Sequence, residues 1–273
     1  MTAHSNLQHD SFVEKGLAGQ PIDQCRVIDA HAHLNENPIF PFLDTSLETL
    51  VARMDRLGVN TICVSSLPAI YGKARLGNDH VIDAMRRYPG RIFGYMCVDP
   101  GWPERIIPEM ERCLAAGVRG VKIHSYATRP LLAYDSPNLT PLYEFANAHD
   151  LPLLVHSFTT EELQQLQPQF AKYPRVNFIL GHTGACGLSP YMNLARKFAN
   201  VYMETCLSSS PRGLFETIVA EGLGDKVLWG SDEVFMDASQ QLGRVLFARI
   251  TEADKRKILG ENAARALRLG DAV

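Results

Sequence analysis

Val27-Ile28-Asp29-Ala30-His31-Ala32-His33 is the stretch on which the fold and the chemistry of this chain both turn. An apolar, strand-forming run passes without a turn into two histidines spaced i and i+2. Residues at that spacing on a strand share a side. Both imidazoles can therefore reach one divalent metal, and imidazole nitrogen suits zinc and its neighbours. A lone His-x-His pair is a weak motif. Its weight depends on what stands at the ends of the other strands.

Working outward, short β-rich apolar runs alternate with longer helical patterns. The expected strands are 26–30, 60–65, 92–98, 120–123, 151–155, 176–180, 201–205 and 227–230. The expected helices are 46–57, 79–87, 103–116, 142–149, 161–172, 190–198, 212–221 and 239–248, with a closing helix over 252–267. Alternation of this kind means βα units and a parallel sheet. Such strands are buried on both faces, so they read as continuous apolar runs. Eight units in 273 residues predict an α/β fold, a (β/α)8 TIM barrel. A doubly wound open sheet is the alternative; its dinucleotide form lacks the Gly-x-Gly-x-x-Gly turn after the first strand. Residues 1–24 read as a short, polar N-terminal tail and 25–273 as a single barrel domain.

In such a barrel the active site collects at the C-terminal ends of the strands. Those ends carry His31 and His33, Lys122 and His124, His156, His182, Glu204 and Asp232. Five of the chain's nine histidines fall there, which scattered core histidines would not do. Asp232 reads as metal ligand, general base or both, against the plainer reading of a loop cap. Lys122 and His124 share one strand face. Lys122 is read as a holder of a substrate carboxylate, or as a buried partner of Glu204 or Asp232. Both readings come ahead of a carbamylated lysine bridging two metals. His124 would contact substrate or water near a metal, and Glu204 would orient a metal ligand or Lys122. Asp29 is left without a role. Ser65 and Ser66 end the second strand as hydroxyl caps or pocket lining. Arg75, Tyr126 and Arg129 are expected in loops over the site. His80 and His149 read as structural or solvated, and His4 and His9 belong to the tail.

The net charge of -3 gives no reason to expect nucleic acid or an anionic membrane as partner. No apolar run approaches the length of a membrane span, and the N-terminus lacks the apolar stretch of a signal peptide. Six cysteines without a Cys-x-x-Cys pair read as buried free thiols in a reducing compartment. A cytoplasmic protein is expected. A small-molecule substrate is the expected partner, and a homodimer the expected assembly, though no residue argues for the latter.

The chain resembles the amidohydrolase superfamily, in its amidohydrolase-related, aminocarboxymuconate-decarboxylase-like branch. The resemblance runs from about Val27 to about Leu267. It rests on Ile28-Asp29-Ala30-His31-Ala32-His33, Gly77-Asn78-Asp79, Tyr88-Pro89-Gly90-Arg91-Ile92-Phe93-Gly94, Val98-Asp99-Pro100 and Gly117-Val118-Arg119-Gly120-Val121-Lys122-Ile123-His124. Val155-His156, Gly181-His182-Thr183-Gly184, Gly230-Ser231-Asp232 and Gly260-Glu261-Asn262-Ala263-Ala264-Arg265 complete it. It implies one metal held by His31, His33, His156 and Asp232, zinc first and manganese second, with His182 as catalytic histidine. In some superfamily members the Lys122 position, with His124 and His182 nearby, serves a second metal. This branch is mostly mononuclear, so one metal is expected here. The first functional expectation is a metal-dependent hydrolase that cleaves an amide, ester or lactone-type bond in a small acidic substrate. Asp232 would act as base and His182 as its companion. The alternative is nonoxidative, metal-dependent decarboxylation of an aromatic or unsaturated acid. A non-catalytic ligand-binding barrel is the reading from another class.

Overall fold

A computed structural model describes residues 10–36, 44–124, 132–209 and 211–270. Its strands are β1 (Ile28–Leu34), β2 (Thr61–Ser66), β3 (Ile92–Met96), β4 (Gly120–Ile123), β5 (Leu153–His156), β6 (Phe178–Gly181), β7 (Val201–Glu204) and β8 (Val227–Leu228). They are parallel and pair in sequence order. Past β8 the chain returns to β1. Ala30 N donates to Trp229 O at 3.0 Å, Asp232 N donates to His31 O at 2.7 Å, and Ala32 bridges Glu233. The (β/α)8 TIM barrel expected from the sequence is therefore the fold.

The helices are α1 (Ser11–Ala18), α2 (Leu47–Leu57), α3 (Leu67–Ile70), α4 (Ala74–Arg87), α5 (Ile106–Ala115) and α6 (Thr140–Ala148). They continue with α7 (Thr160–Lys172), α8 (Leu188–Lys197), α9 (Leu214–Ala220), α10 (Ala238–Leu246), α11 (Glu252–Arg256) and α12 (Asn262–Ala266). A π-helical segment, Lys257–Glu261, joins the last two where one regular closing helix was expected. Helix α4 starts at Ala74, ahead of the expected 79. The Gly77-Asn78 pair looks like a breaker in sequence. In the fold the Asn78 amide is buried and pairs with both N and O of Cys97, each at 2.9 Å, which fixes α4 against the end of β3.

The span read as a polar tail contains α1. Asp10 caps it by accepting from Phe12 N and Val13 N at 3.0 and 3.2 Å. The same carboxylate pairs with the buried Lys255 ammonium at 2.5 Å, and Phe12 is buried beneath. No helix among the described residues is long and apolar enough to cross a membrane.

Strand β1 is not regular. Asp29 lies opposite Ile62 on β2, yet Ala32 lies opposite Val64, so β1 carries one extra residue between them. A one-residue bulge switches which face each later side chain takes. Ile28 and Ala30 pack inside the barrel with Leu154, Ile179 and Leu228. Ala32 and Leu34 instead join the outer core between sheet and helices. The bulge thereby turns His31 and His33 inward, above Ala30.

Candidate active site

At the C-terminal mouth a cavity of about 170 Å³ is lined by His31, His33, Lys122, His156, His182 and Asp232. One water needs roughly 10–15 Å³, so the space suits a small molecule. His124 lines it too. Leu67, Ile70, Tyr71, Phe158 and Phe235 complete the lining; Phe158 stacks on His156 with ring centroids 4.7 Å apart, and Phe235 stands edge-on to His33 at 5.4 Å. Seven of the eight residues singled out from sequence thus meet in one place. The eighth, Glu204, stands directly behind it.

Glu204 accepts from His31 Nδ1 at 2.7 Å, with both side chains fully buried. That bond fixes the tautomer of His31 and leaves Nε2 to face the cavity. Two glycines make the arrangement fit. A Cβ on Gly230 would lie 2.4 Å from Glu204 Oε1, and one on Gly181 would lie 3.3 Å from His31 Cε1. His33 is held by the Ser65 hydroxyl at Nδ1, 3.0 Å away, and by Asp232 Oδ1 at Nε2, 3.1 Å away. His182 pairs its Nδ1 with the carbonyl of Cys206 at 3.0 Å, which aims Nε2 into the cavity. His182 and Asp232 both adopt left-handed backbone, with φ of 62° and 56°. Non-glycine residues rarely do so, and such strain gathers at functional sites.

Charge follows burial. Burial pushes the pKa values of His31, His33, His124, His156 and His182 down, so the imidazoles are neutral. Burial alone would raise Asp232, but the hydrogen bond from His33 holds it below the ordinary carboxylate range. Burial lowers Lys122 and raises Glu204. Neutral imidazoles beside an ionised carboxylate are the donor set a divalent cation requires.

The His33–Asp232 pair has the spacing of two ligands on one ion, and His31 stands slightly wider. Asp232 Oδ1 lies 3.1 Å from His33 Nε2 and 3.7 Å from His31 Nε2. Donors about 2.1 Å from a common metal stand roughly 3.0–3.5 Å apart. A tight donor group also brings His31, His182, Cys206 and Asp232 within 4.8 Å of one another. Cys206 was passed over in sequence as one more buried thiol. Its Sγ lies 3.2 Å from His31 Nδ1 and 3.0 Å from Glu204 Oε2, on the side of the imidazole turned away from Asp232. Burial keeps its thiol protonated. It is a prop behind the ring rather than a ligand. The sequence signal for it was its i+2 spacing from Glu204.

Lys122 Nζ lies 2.7 Å from His31 Nε2. Asp29 accepts from the backbone N of His31 at 3.1 Å and of Ser231 at 2.9 Å, tying β1 to the chain beyond β8. Burial pushes its carboxyl up to about 8. Ser65 thus belongs to the site, whereas Ser66 bonds Asn35, as does His80. Arg75, expected in a covering loop, is on α4 and pairs with Asp79 and Glu109. Its side chain is 70% exposed. Helix α4 took it because the helix starts earlier than the apolar pattern suggested. Tyr126, Arg129, His4 and His9 lie outside the described residues.

Residues 28–269 match the amidohydrolase family model. The chain belongs to the amidohydrolase family. A gamma-resorcylate decarboxylase from Polaromonas sp. JS666 is 24% identical over 284 residues, covering 80% of this chain and 86% of that protein. Among solved structures, the dihydroxybenzoic acid decarboxylase of Polaromonas sp. JS666, with manganese and 2-nitroresorcinol bound, superposes with a TM-score of 0.76. It is 21% identical, covering 91% of this chain and 98% of that one. The 5-carboxyvanillate decarboxylase of Novosphingobium aromaticivorans, with manganese and a nitrobenzoic acid, gives 0.74 at 16% identity, covering 92% and 99%. These structures share the amidohydrolase barrel.

Proposed function

We propose that this amidohydrolase is a metal-dependent, nonoxidative decarboxylase of a small aromatic or unsaturated carboxylic acid. The observation that carries the reading is one cavity in which Asp232 and five imidazoles share the lining with Phe158 and Phe235, whose faces suit a ring. The similarity to gamma-resorcylate decarboxylase favours it over the hydrolysis expected first from the sequence. His31, His33, His156 and Asp232 would hold one divalent metal. Manganese, found in the structures named above, is the first to test, ahead of zinc. When bound, the metal supplies a Lewis acid for the oxygens of the substrate.

The residues themselves do the rest. Lys122 and His124 border the cavity where an acid group can settle, and Phe158 and Phe235 offer apolar faces to the ring. The carbon–carboxylate bond breaks, carbon dioxide leaves, and the electron pair stays on carbon until that carbon takes one proton. Asp232 or His182, both lining the cavity, delivers it and is recharged from solvent, so each turnover consumes one proton. His182, aimed by Cys206 O, steadies the substrate oxygen beside it.

The test is to load the protein with manganese, supply 2,6-dihydroxybenzoate and related acids, and measure carbon dioxide. Release that disappears in Asp232→Asn supports the reading. Turnover of esters or lactones with no carbon dioxide from any acid overturns it in favour of hydrolysis. Burial of most of the thiols also supports a reducing, cytoplasmic setting.

A further inference from the structure

Beside the main cavity lies a smaller chamber of about 20 Å³, room for one methyl-sized group. The two spaces share Ile70, Lys122 and His124, so those residues stand between them. The remaining walls include Ala69, Cys97, Val98, Leu132 and Leu139. Several polar groups near the chamber are committed elsewhere. The Tyr134 hydroxyl donates to His156 O. Both backbone groups of Cys97 are taken by Asn78. The Lys122 amine is turned to His31 Nε2. The Cys97 thiol is buried, and a buried thiol packs like a small hydrophobe. Apart from the His124 ring, what the chamber presents among the described residues is mainly hydrocarbon and sulfur.

We infer that this chamber is a substrate subsite. It takes a methyl-sized apolar substituent on the ring of an acid seated in the main cavity, so the preferred substrate is an alkylated rather than a purely hydroxylated acid. The inference rests on the reading that the main cavity takes a compact carboxylic acid. It adds a discrimination which the metal site alone does not supply. One methyl group in a fitted apolar pocket is worth about 10-fold or more in affinity.

The test is calorimetric binding to the manganese-loaded protein, with carbon dioxide followed separately. The probes are 2-hydroxybenzoate, its ring-methyl isomers and the dihydroxy counterparts. One methyl isomer is expected to bind about 10-fold tighter than the parent acid, while a hydroxyl at the same position gains nothing. Cys97→Leu and Leu139→Phe each fill the chamber and should bring that ratio to about one. If no methyl isomer exceeds the parent, or the preference survives in either folded variant, the inference is overturned. Should neither variant fold, the isomer series on the unaltered protein decides. A methyl preference without carbon dioxide from any acid sinks the decarboxylase reading and leaves the chamber standing. Carbon dioxide release without a methyl preference sinks the chamber alone, and no binding by any of the acids sinks both.

Discussion

Two layers of the barrel interior lie only two residues apart and differ in almost every respect. The lower layer holds Ile28, Leu154, Ile179, Tyr202 and Leu228, sealed from below by Ala263 and Ala266 of α12. The upper layer, two positions further along β5 to β7 and the chain after β8, holds His156, Gly181, Glu204 and Gly230. That step is roughly 6.6 Å. Below, large side chains fill the space and no backbone is strained to place them. Above, glycines give up their volume so that His31 and Glu204 can enter, and His182 and Asp232 accept left-handed backbone. One layer is spent on stability and the other on chemistry. Strands β5, β6 and β7 run through both.

The sharpest way to break that contrast is Asp232→Asn in the upper layer. It should cost about 10²–10⁴-fold in carbon dioxide release while the thermal midpoint stays within a few degrees. A collapse of the fold would show that Asp232 is structural. The converse change is Leu154→Ala in the lower layer, expected to cost about 2–5 kcal/mol in denaturant unfolding. The surviving folded enzyme should keep its rate per bound metal. Glu204→Gln lies at the seam. It replaces the charged acceptor of His31 Nδ1 with a neutral amide, and metal affinity measured by competition with a chelator should fall about 10–100-fold.

Asp29→Asn is read as a pH dependence. Burial raises the Asp29 carboxyl to about 8 in the fold, against an ordinary value of 3.8. Its contribution is fully present below about 4, where both states are protonated. It is lost as pH rises toward 8, because the unfolded chain ionises first. An asparagine can still accept from His31 N and Ser231 N, and it does not ionise. The stability of the variant relative to the unaltered protein should therefore improve between pH 4 and 8, read from thermal midpoints of the metal-free proteins. A flat difference would sink this assignment.

The lower layer was legible in the sequence, because continuous apolar runs of strand length have few other uses. Most of the upper layer was legible too, since histidines, a lysine and acids at strand ends are costly to bury without purpose. What stayed hidden depended on contacts between strands. The place of Ser65 beneath His33 and of Cys206 behind His31 follows from neighbours far away in the chain. The start of α4 was missed because Gly77 and Asn78 resemble a breaker when their packing partners are unknown. The ion pair that anchors residue 10 was missed because Asp10 and Lys255 lie 245 positions apart.

The extra residue in β1 has a consequence for anyone moving this site. Counting alternate positions from Ile28 would put His31 and His33 on the helix-facing side of the barrel. A graft of the His-Ala-His segment onto a regular strand would export both imidazoles into a hydrocarbon layer. The transferable unit is the irregular segment from Asp29 to Ala32 together with its neighbours. A sequence alignment that closes the gap there by deleting one residue would pair metal-facing positions with core-facing ones along the rest of the strand.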